Sequence, residues 1–119
     1  MAWKFLPDSP VYIQIADKIR CLIISGEYVP GQQLPTVRQF AVEAAVNPNT
    51  IQHAFTELEG PGIIVSKGTA GRFVTDNLNE IDMCRKVYVK KIVGDLLATA
   101  KRMAVSKEEL IAMIKEGDV

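Results

Sequence analysis

Apolar positions recur at helical spacing over most of the chain, broken by short polar and glycine-containing stretches. Tyr12, Ile15, Ala16, Ile19, Leu22 and Ile23 form one stripe, the signature of an amphipathic helix. Ser9 is suited to cap it, Pro10 to its first helical position, and Gly26 to its end. "YVPGQQLP" is then a loop, with Pro30-Gly31 as its turn. Thr36 and Gln39 have capping-box spacing and open a second helix of about two turns, whose inner face is Val37, Phe40, Ala41 and Ala44. A helix that short must be held by packing. Asn47 as N-cap and Pro48 at the first helical position open a third helix, with Ile51, Ala54, Phe55 and Leu58 facing inward. "GPG" at Gly60 to Gly62 ends it.

The period then changes. Ile63 to Ser66 and Arg72 to Thr75 read as two short strands, and Lys67 to Gly71 as the turn between them. A two-stranded ribbon is marginal alone and must lean on the helices. "DNLN" is a polar linker. Beyond it, Ile81, Cys84, Tyr88, Val89, Ile92, Val93, Leu96, Leu97, Ala100 and Met103 form a broad apolar stripe on a long helix, roughly Asn79 to Ala104. Ser106 and Glu109 make a second capping box before a last helix carrying Leu110, Ile111, Met113 and Ile114, stopped by Gly117. The fold class is therefore mainly α with a small β-ribbon. Residues 1–76 have the order of a winged helix-turn-helix, and residues 77–119 form a two-helix C-terminal region.

That order raises a question about the exposed side of the third helix. It carries Asn49, Gln52, His53 and Thr56, with no charge between Thr50 and Thr56. In a helix-turn-helix the N-terminal residues of the second helix of the motif face base edges in the major groove. Asn and Gln can bond adenine N6 and N7 together, and His can donate to a purine acceptor. Carboxylates would be repelled by phosphate, and Glu57 and Glu59 lie at the far end. The helix N-terminus offers free N–H groups and partial positive charge to a phosphate, with Asn47 and Thr50 beside it. The alternative is a solvated polar face with a cap. Arg38 is placed for a phosphate or base contact, or for a surface salt bridge. Thr36 is a cap first and a phosphate contact second. Lys67, Thr69, Gly71 and Arg72 belong to the wing, where a backbone or minor-groove contact competes with plain solvation. Trp3 and Tyr12 read as packing residues.

Composition narrows the function without choosing it. The 119 residues are 48% hydrophobic and 24% charged, with 14 basic against 14 acidic side chains, so attraction to nucleic acid must come from a local patch. Up to Thr75 six basic residues (Lys4, Lys18, Arg20, Arg38, Lys67, Arg72) face six acidic ones (Asp8, Asp17, Glu27, Glu43, Glu57, Glu59). Cys21 and Cys84 fall among apolar residues and read as free thiols in a core. His53 has no second His or Cys at ligand spacing and no nucleophile partner, so no metal, cofactor or enzyme activity is expected. No apolar run approaches the ~20 residues of a membrane span and no leader is evident, which points to a cytoplasmic protein.

The segments "PVYIQIADKIR", "SGEYVPGQQLPTVRQFA", "VNPNTIQHAFTELE", "GII" and "GRFV" resemble the GntR family of bacterial transcription regulators, over about Pro10 to Val74. The short helical C-terminal part looks like its YtrA subfamily. The resemblance implies a homodimer that binds a palindromic double-stranded DNA operator, usually to repress, often beside transporter genes. The broad stripe, with Ile81, Cys84, Tyr88, Val89, Ile92, Val93, Leu96 and Leu97, is then the expected dimer interface, since a large apolar patch marks a contact surface. No dedicated domain for a small-molecule effector is expected. The chain departs from the family where Ala45 replaces a usual Gly, where Gly60-Pro61-Gly62 replaces a charged residue and Gly, and where Thr69-Ala70-Gly71-Arg72 replaces Gly-x-Gly-Thr. Pro48 and Gln52 stand where many members have Arg. The competing function is a winged-helix adaptor that binds protein and not DNA.

Overall fold

The computed structural model describes residues 3–117. Five helices and one hairpin follow in order: α1 Val11–Ile24, α2 Val37–Ala44, α3 Pro48–Glu59, β1 Ile64–Ser66, β2 Arg72–Val74, α4 Leu78–Arg102 and α5 Lys107–Glu116, with a single 3₁₀ turn Gly68–Ala70 between the strands. The chain divides into two compact units, Met1–Cys84 and Arg85–Val119, with α4 contributing to each.

In the first unit α1 and α2 both pack on α3. Ile15, Ile19, Phe40, Ile51, Ala54, Phe55, Leu58 and Ile63 are all fully buried, and Ile23, Ile64 and Val74 nearly so. Each buried large side chain contributes about 1.5–3 kcal/mol, so this core outweighs any cap. Phe40 and Phe55 meet edge to face, centroids 5.6 Å apart, and Trp3 meets Phe40 similarly at 5.9 Å. The expected packing role of Trp3 is therefore met, with Lys18 Nζ over its ring at 4.7 Å.

The helix ends follow local chemistry. The α2 capping box is formed: Thr36 Oγ1 accepts from Gln39 N–H at 3.1 Å, and Gln39 Oε1 accepts from Thr36 N–H at 2.8 Å. The same box opens α5 through Ser106 and Glu109. Helix α1 differs from expectation. Pro10 is the residue before the helix, and no side chain caps it. The carbonyl of Ser9 instead accepts from Gln14 Nε2, which also binds the carbonyl of Leu6. The turn between α2 and α3 is closed by Ala45 in the left-handed region, at φ 58° and ψ 48°, with Val46 N–H bonding the Ala41 carbonyl at 3.0 Å.

The strands pair antiparallel, with Val65 opposite Phe73. The loop before α2 is more than a loop. Gln33 bridges to Phe73, and N–H groups of Gly31 and Leu34 bond the carbonyls of Val74 and Arg72. This third extended segment gives the marginal ribbon the support it needs.

Two assignments require correction. Cys21 is exposed and not a core thiol, whereas Cys84 is half-buried against the core. Ile81 is buried in the first unit's core. Both Ile81 and Cys84 were expected in a dimer interface, but the apolar surface of Ile81 is already used within the chain, and Cys84 keeps only part of its surface exposed. The compact unit accordingly runs eight residues past Asp76, to Cys84.

In the second unit α4 ends with Ala104 in the left-handed region, φ 59°, and Val105 N–H bonding the Ala100 carbonyl at 2.9 Å. Val89, Ile92, Val93 and Leu96 are 44–52% exposed, while Tyr88 and Leu97 are half-buried. A cleft of about 340 Å³ lies between α4 and α5, lined by Leu97, Val105, Leu110, Lys101 and others. Among the described residues no helix is long and apolar enough to cross a membrane.

Candidate nucleic-acid interface

Helix α3 is docked by one face and free on the other. Ile51, Ala54, Phe55 and Leu58 are fully buried, and Asn49, Gln52, His53 and Thr56 are exposed. Thr50 is half-buried. The start of the helix is rigidly built: Asn47 Oδ1 accepts from Asn49 N–H at 2.8 Å, and Asn47 C=O from Thr50 N–H at 2.9 Å. These bonds satisfy donors that a helix start otherwise leaves open. They leave the Asn47 amide NH₂ as its free donor group. Thr56 Oγ1 donates to the Gln52 carbonyl at 3.1 Å, so that hydroxyl proton is spent on the helix itself.

The uncharged row is therefore Asn49, Gln52 and His53, within the first two turns. Gln52 and Asn49 have no side-chain partner among the described residues, so their amides remain available. His53 is different. Its ring lies flat on Tyr12 of α1, with centroids 3.6 Å apart and planes at 8°. Tyr12, read from sequence as packing, does pack, but against the exposed face of α3.

The cations separate into distinct roles. Arg38, in the first turn of α2, is exposed and forms no ion pair among the described residues. The surface salt bridge considered for it is not present there. Thr36 is exposed with its oxygen accepting in the cap, which leaves its proton free to donate.

Arg72 departs from the sequence reading. Its Nε donates to Glu59 Oε1 at 3.4 Å, and its guanidinium lies 4.8 Å from the centre of the Phe55 ring. At 23% exposure it clamps the second strand to the end of α3. Part of its charge is thus engaged within the fold. Glu59, thought of only as an acid far from the groove, is the partner that fixes it.

The wing tip is also tied down. Gln33 Nε2 donates to the Ala70 carbonyl at 2.7 Å. Gly71 has φ 109°, and a Cβ there would sit 3.0 Å from Gln33 Nε2. Gly71 is thus required by the backbone, and it is half-buried. Lys67 and Thr69 stay exposed. Lys67 Nζ lies 4.7 Å from the centre of the Phe73 ring, an arrangement that leaves the ammonium in solvent. Gln33 had no signal in the sequence, because its partners lie 37 or more residues away. Among the described residues no cluster of His, Cys, Asp or Glu could hold a metal.

Residues 11–74 match the model of the bacterial regulatory proteins of the gntR family. Over 94% of its length the chain is 32% identical to the HTH-type transcriptional regulator YhcF of Bacillus subtilis, covering 93% of that protein. It is 33% identical to the HTH-type transcriptional repressor YtrA of the same organism, over 91% of this chain and 84% of that one. A GntR family transcriptional regulator from Listeria monocytogenes superposes with a TM-score of 0.89 at 31% identity, over 96% of this chain and all of that one. The DNA-binding domain of AraR, solved in complex with operator ORX1, matches with a TM-score of 0.57 at 28% identity, over 63% of this chain and 95% of that one. The chain belongs to the GntR family, as a YtrA-like DNA-binding transcription regulator and not an enzyme.

Proposed function

We propose that this GntR-family chain acts in the cytoplasm as a homodimeric repressor that reads a palindromic operator with Asn49, Gln52 and His53. The observation that carries the reading is the uncharged, exposed start of α3 on a helix whose opposite face is wholly buried. Such a helix can enter a groove without moving relative to its own core. Amides give two-point contacts to adenine, and phosphate contacts add strength without preference. Arg38, Thr36, Asn47 and Thr50 are the proposed phosphate partners near α2 and α3. Lys67 and Thr69 serve the wing. Arg72 and Gly71 hold the wing in shape and are not proposed to touch DNA.

Residues 1–76 hold the DNA-binding elements and 77–119 the dimerisation region in this scheme, with Ile81 and Cys84 belonging structurally to the former. The dimer would use Val89, Ile92, Val93 and Leu96, whose exposure supports a contact surface, with Tyr88 and Leu97 beside them. A two-fold axis would set two α3 helices on half-sites about one DNA turn, or a multiple, apart. Repression follows the name of the relative YtrA.

Selection from random duplexes gives the operator and its symmetry. Gln52→Ala should then lose about 1–3 kcal/mol on the selected duplex and relax one base position per half-site. An equal loss on operator and random DNA would remove Gln52 from the reading face. Sedimentation of Ile92→Lys should give monomers where the wild type gives dimers, and an unchanged dimer would refute the assigned interface.

A further inference from the structure

The Tyr12–His53 stack is unusual in where it lies. It joins the first turn of α1 to the exposed face of α3, through rings 3.6 Å apart and within 8° of parallel. The stack is not needed to dock α3, because Ile51, Ala54, Phe55 and Leu58 are already fully buried. It does restrict the imidazole. The ring torsion of a histidine is broad and roughly two-fold, so an exposed His at this position would otherwise sample many orientations. Tyr12 is itself half-buried, and Ile15 and Ala16, one turn along α1, are in the core. The backbone that carries the platform is therefore anchored in the core. The Tyr12 hydroxyl has no hydrogen-bond partner among the described residues, so the ring stack is the contact that places this side chain.

Resting on the DNA-reading function proposed above, we infer that Tyr12 is a specificity-determining positioning residue, which clamps the His53 ring edge-on for one base of each half-site. A reader whose ring is already oriented pays less ordering cost on binding. The ring nitrogen that faces the base also meets it at a fixed angle, and discrimination by hydrogen bonding requires that angle. Tyr12 need touch no base to do this. Its removal should blur the base preference at the one position His53 meets, and leave the positions read by Asn49 and Gln52 as they were.

The test is selection from random duplexes with the full chain, comparing wild type, Tyr12→Leu, Tyr12→Phe and His53→Ala. His53→Ala should relax one position per half-site by about fivefold or more. Tyr12→Leu should relax that same position, and Tyr12→Phe, which keeps the ring, should restore it. The double variant Tyr12→Leu with His53→Ala should be no more relaxed than His53→Ala. Nuclear Overhauser contacts between the two rings should be present in the free protein and in Tyr12→Phe. The inference is overturned if folded Tyr12→Leu keeps the wild-type preference, or loses affinity equally on operator and random duplex. His53 is exposed, so its removal leaves the core intact and tests the inference even if Tyr12→Leu does not fold: no relaxed position in His53→Ala overturns it. A wild type that enriches no sequence would refute the DNA-reading function itself, an outcome visible before any variant is compared.

Discussion

Ala45 holds a left-handed conformation, at φ 58° and ψ 48°, in the turn that aims α3 away from α2. A residue with a Cβ pays about 1–2 kcal/mol there. Glycine would not, although its greater freedom in the unfolded chain returns about 0.4–1 kcal/mol of that gain. Ala45 is exposed, so its methyl group contributes little burial to lose. Ala45→Gly should therefore stabilise the chain by about 0.5–1 kcal/mol. With an unfolding entropy of about 2.1 cal/mol/K per residue and 119 residues, the melting temperature should rise by about 2–4 °C. Circular dichroism melts at one fixed protein concentration would measure this, because the proposed dimer would make the midpoint concentration-dependent. Ala45→Val provides the opposite arm, since a β-branched side chain is more strained at positive φ, and should melt below wild type. If Ala45→Gly melts at or below wild type, the turn is not strained and the reasoning fails.

Arg72→Ala should lower stability by about 1 kcal/mol, through the ion pair to Glu59 and the contact with Phe55. It should leave the salt dependence of DNA binding unchanged, and a slope reduced by about one phosphate would show that Arg72 touches DNA after all. Ile81→Ala should cost about 2–5 kcal/mol as a core residue, measured by urea denaturation of the full chain; a loss as small as that of exposed Val89→Ala would return Ile81 to the interface. Burial, and then the carboxylates of Glu43 and Glu27, raise the Tyr28 phenol above its usual value of 10.0. Between that value and the raised one the folded chain holds a proton that the unfolded chain has lost. Stability should therefore fall as pH rises above about 10, and Tyr28→Phe should flatten that slope in alkaline titrations of unfolding.

Local signals were legible wherever one segment carries its own reason. Both capping boxes, the Asn47-Pro48 helix start and the buried stripe of α3 follow from residues within a few positions of one another. What escaped the sequence was long-range pairing of polar groups. Arg72 looked like a wing cation because nothing near it in the chain announces Glu59 and Phe55. Gln33 looked like loop filler, yet it ties the wing tip across the fold. Ile81 shares a helical period with Ile92, and periodicity alone cannot say that one lies in the first unit's core while the other stays exposed. Tyr12 was read correctly as packing, but its neighbour on α3 could not be named before α1 and α3 were placed together.

The ion pair at Arg72 bears on the electrostatic argument for recognition. Of the six cations up to Thr75, Arg20 pairs with Asp17 and Arg72 with Glu59, Lys18 and Lys67 lie over aromatic rings, and Lys4 is exposed at the N-terminal end. Arg38 is exposed and unpaired among the described residues, and Lys67 keeps its ammonium accessible. Few charges are thus left to neutralise phosphates in each protomer. Sequence-independent affinity scales with that number, so a chain of zero formal net charge should hold random DNA weakly. In the proposed scheme specific binding then depends on the amides of Asn49 and Gln52, on the oriented ring of His53, and on two half-sites being engaged together. A single protomer on a half-site would have too few phosphate contacts to compensate for the loss of its partner, which is why dimerisation through α4 and base reading through α3 are proposed as one mechanism.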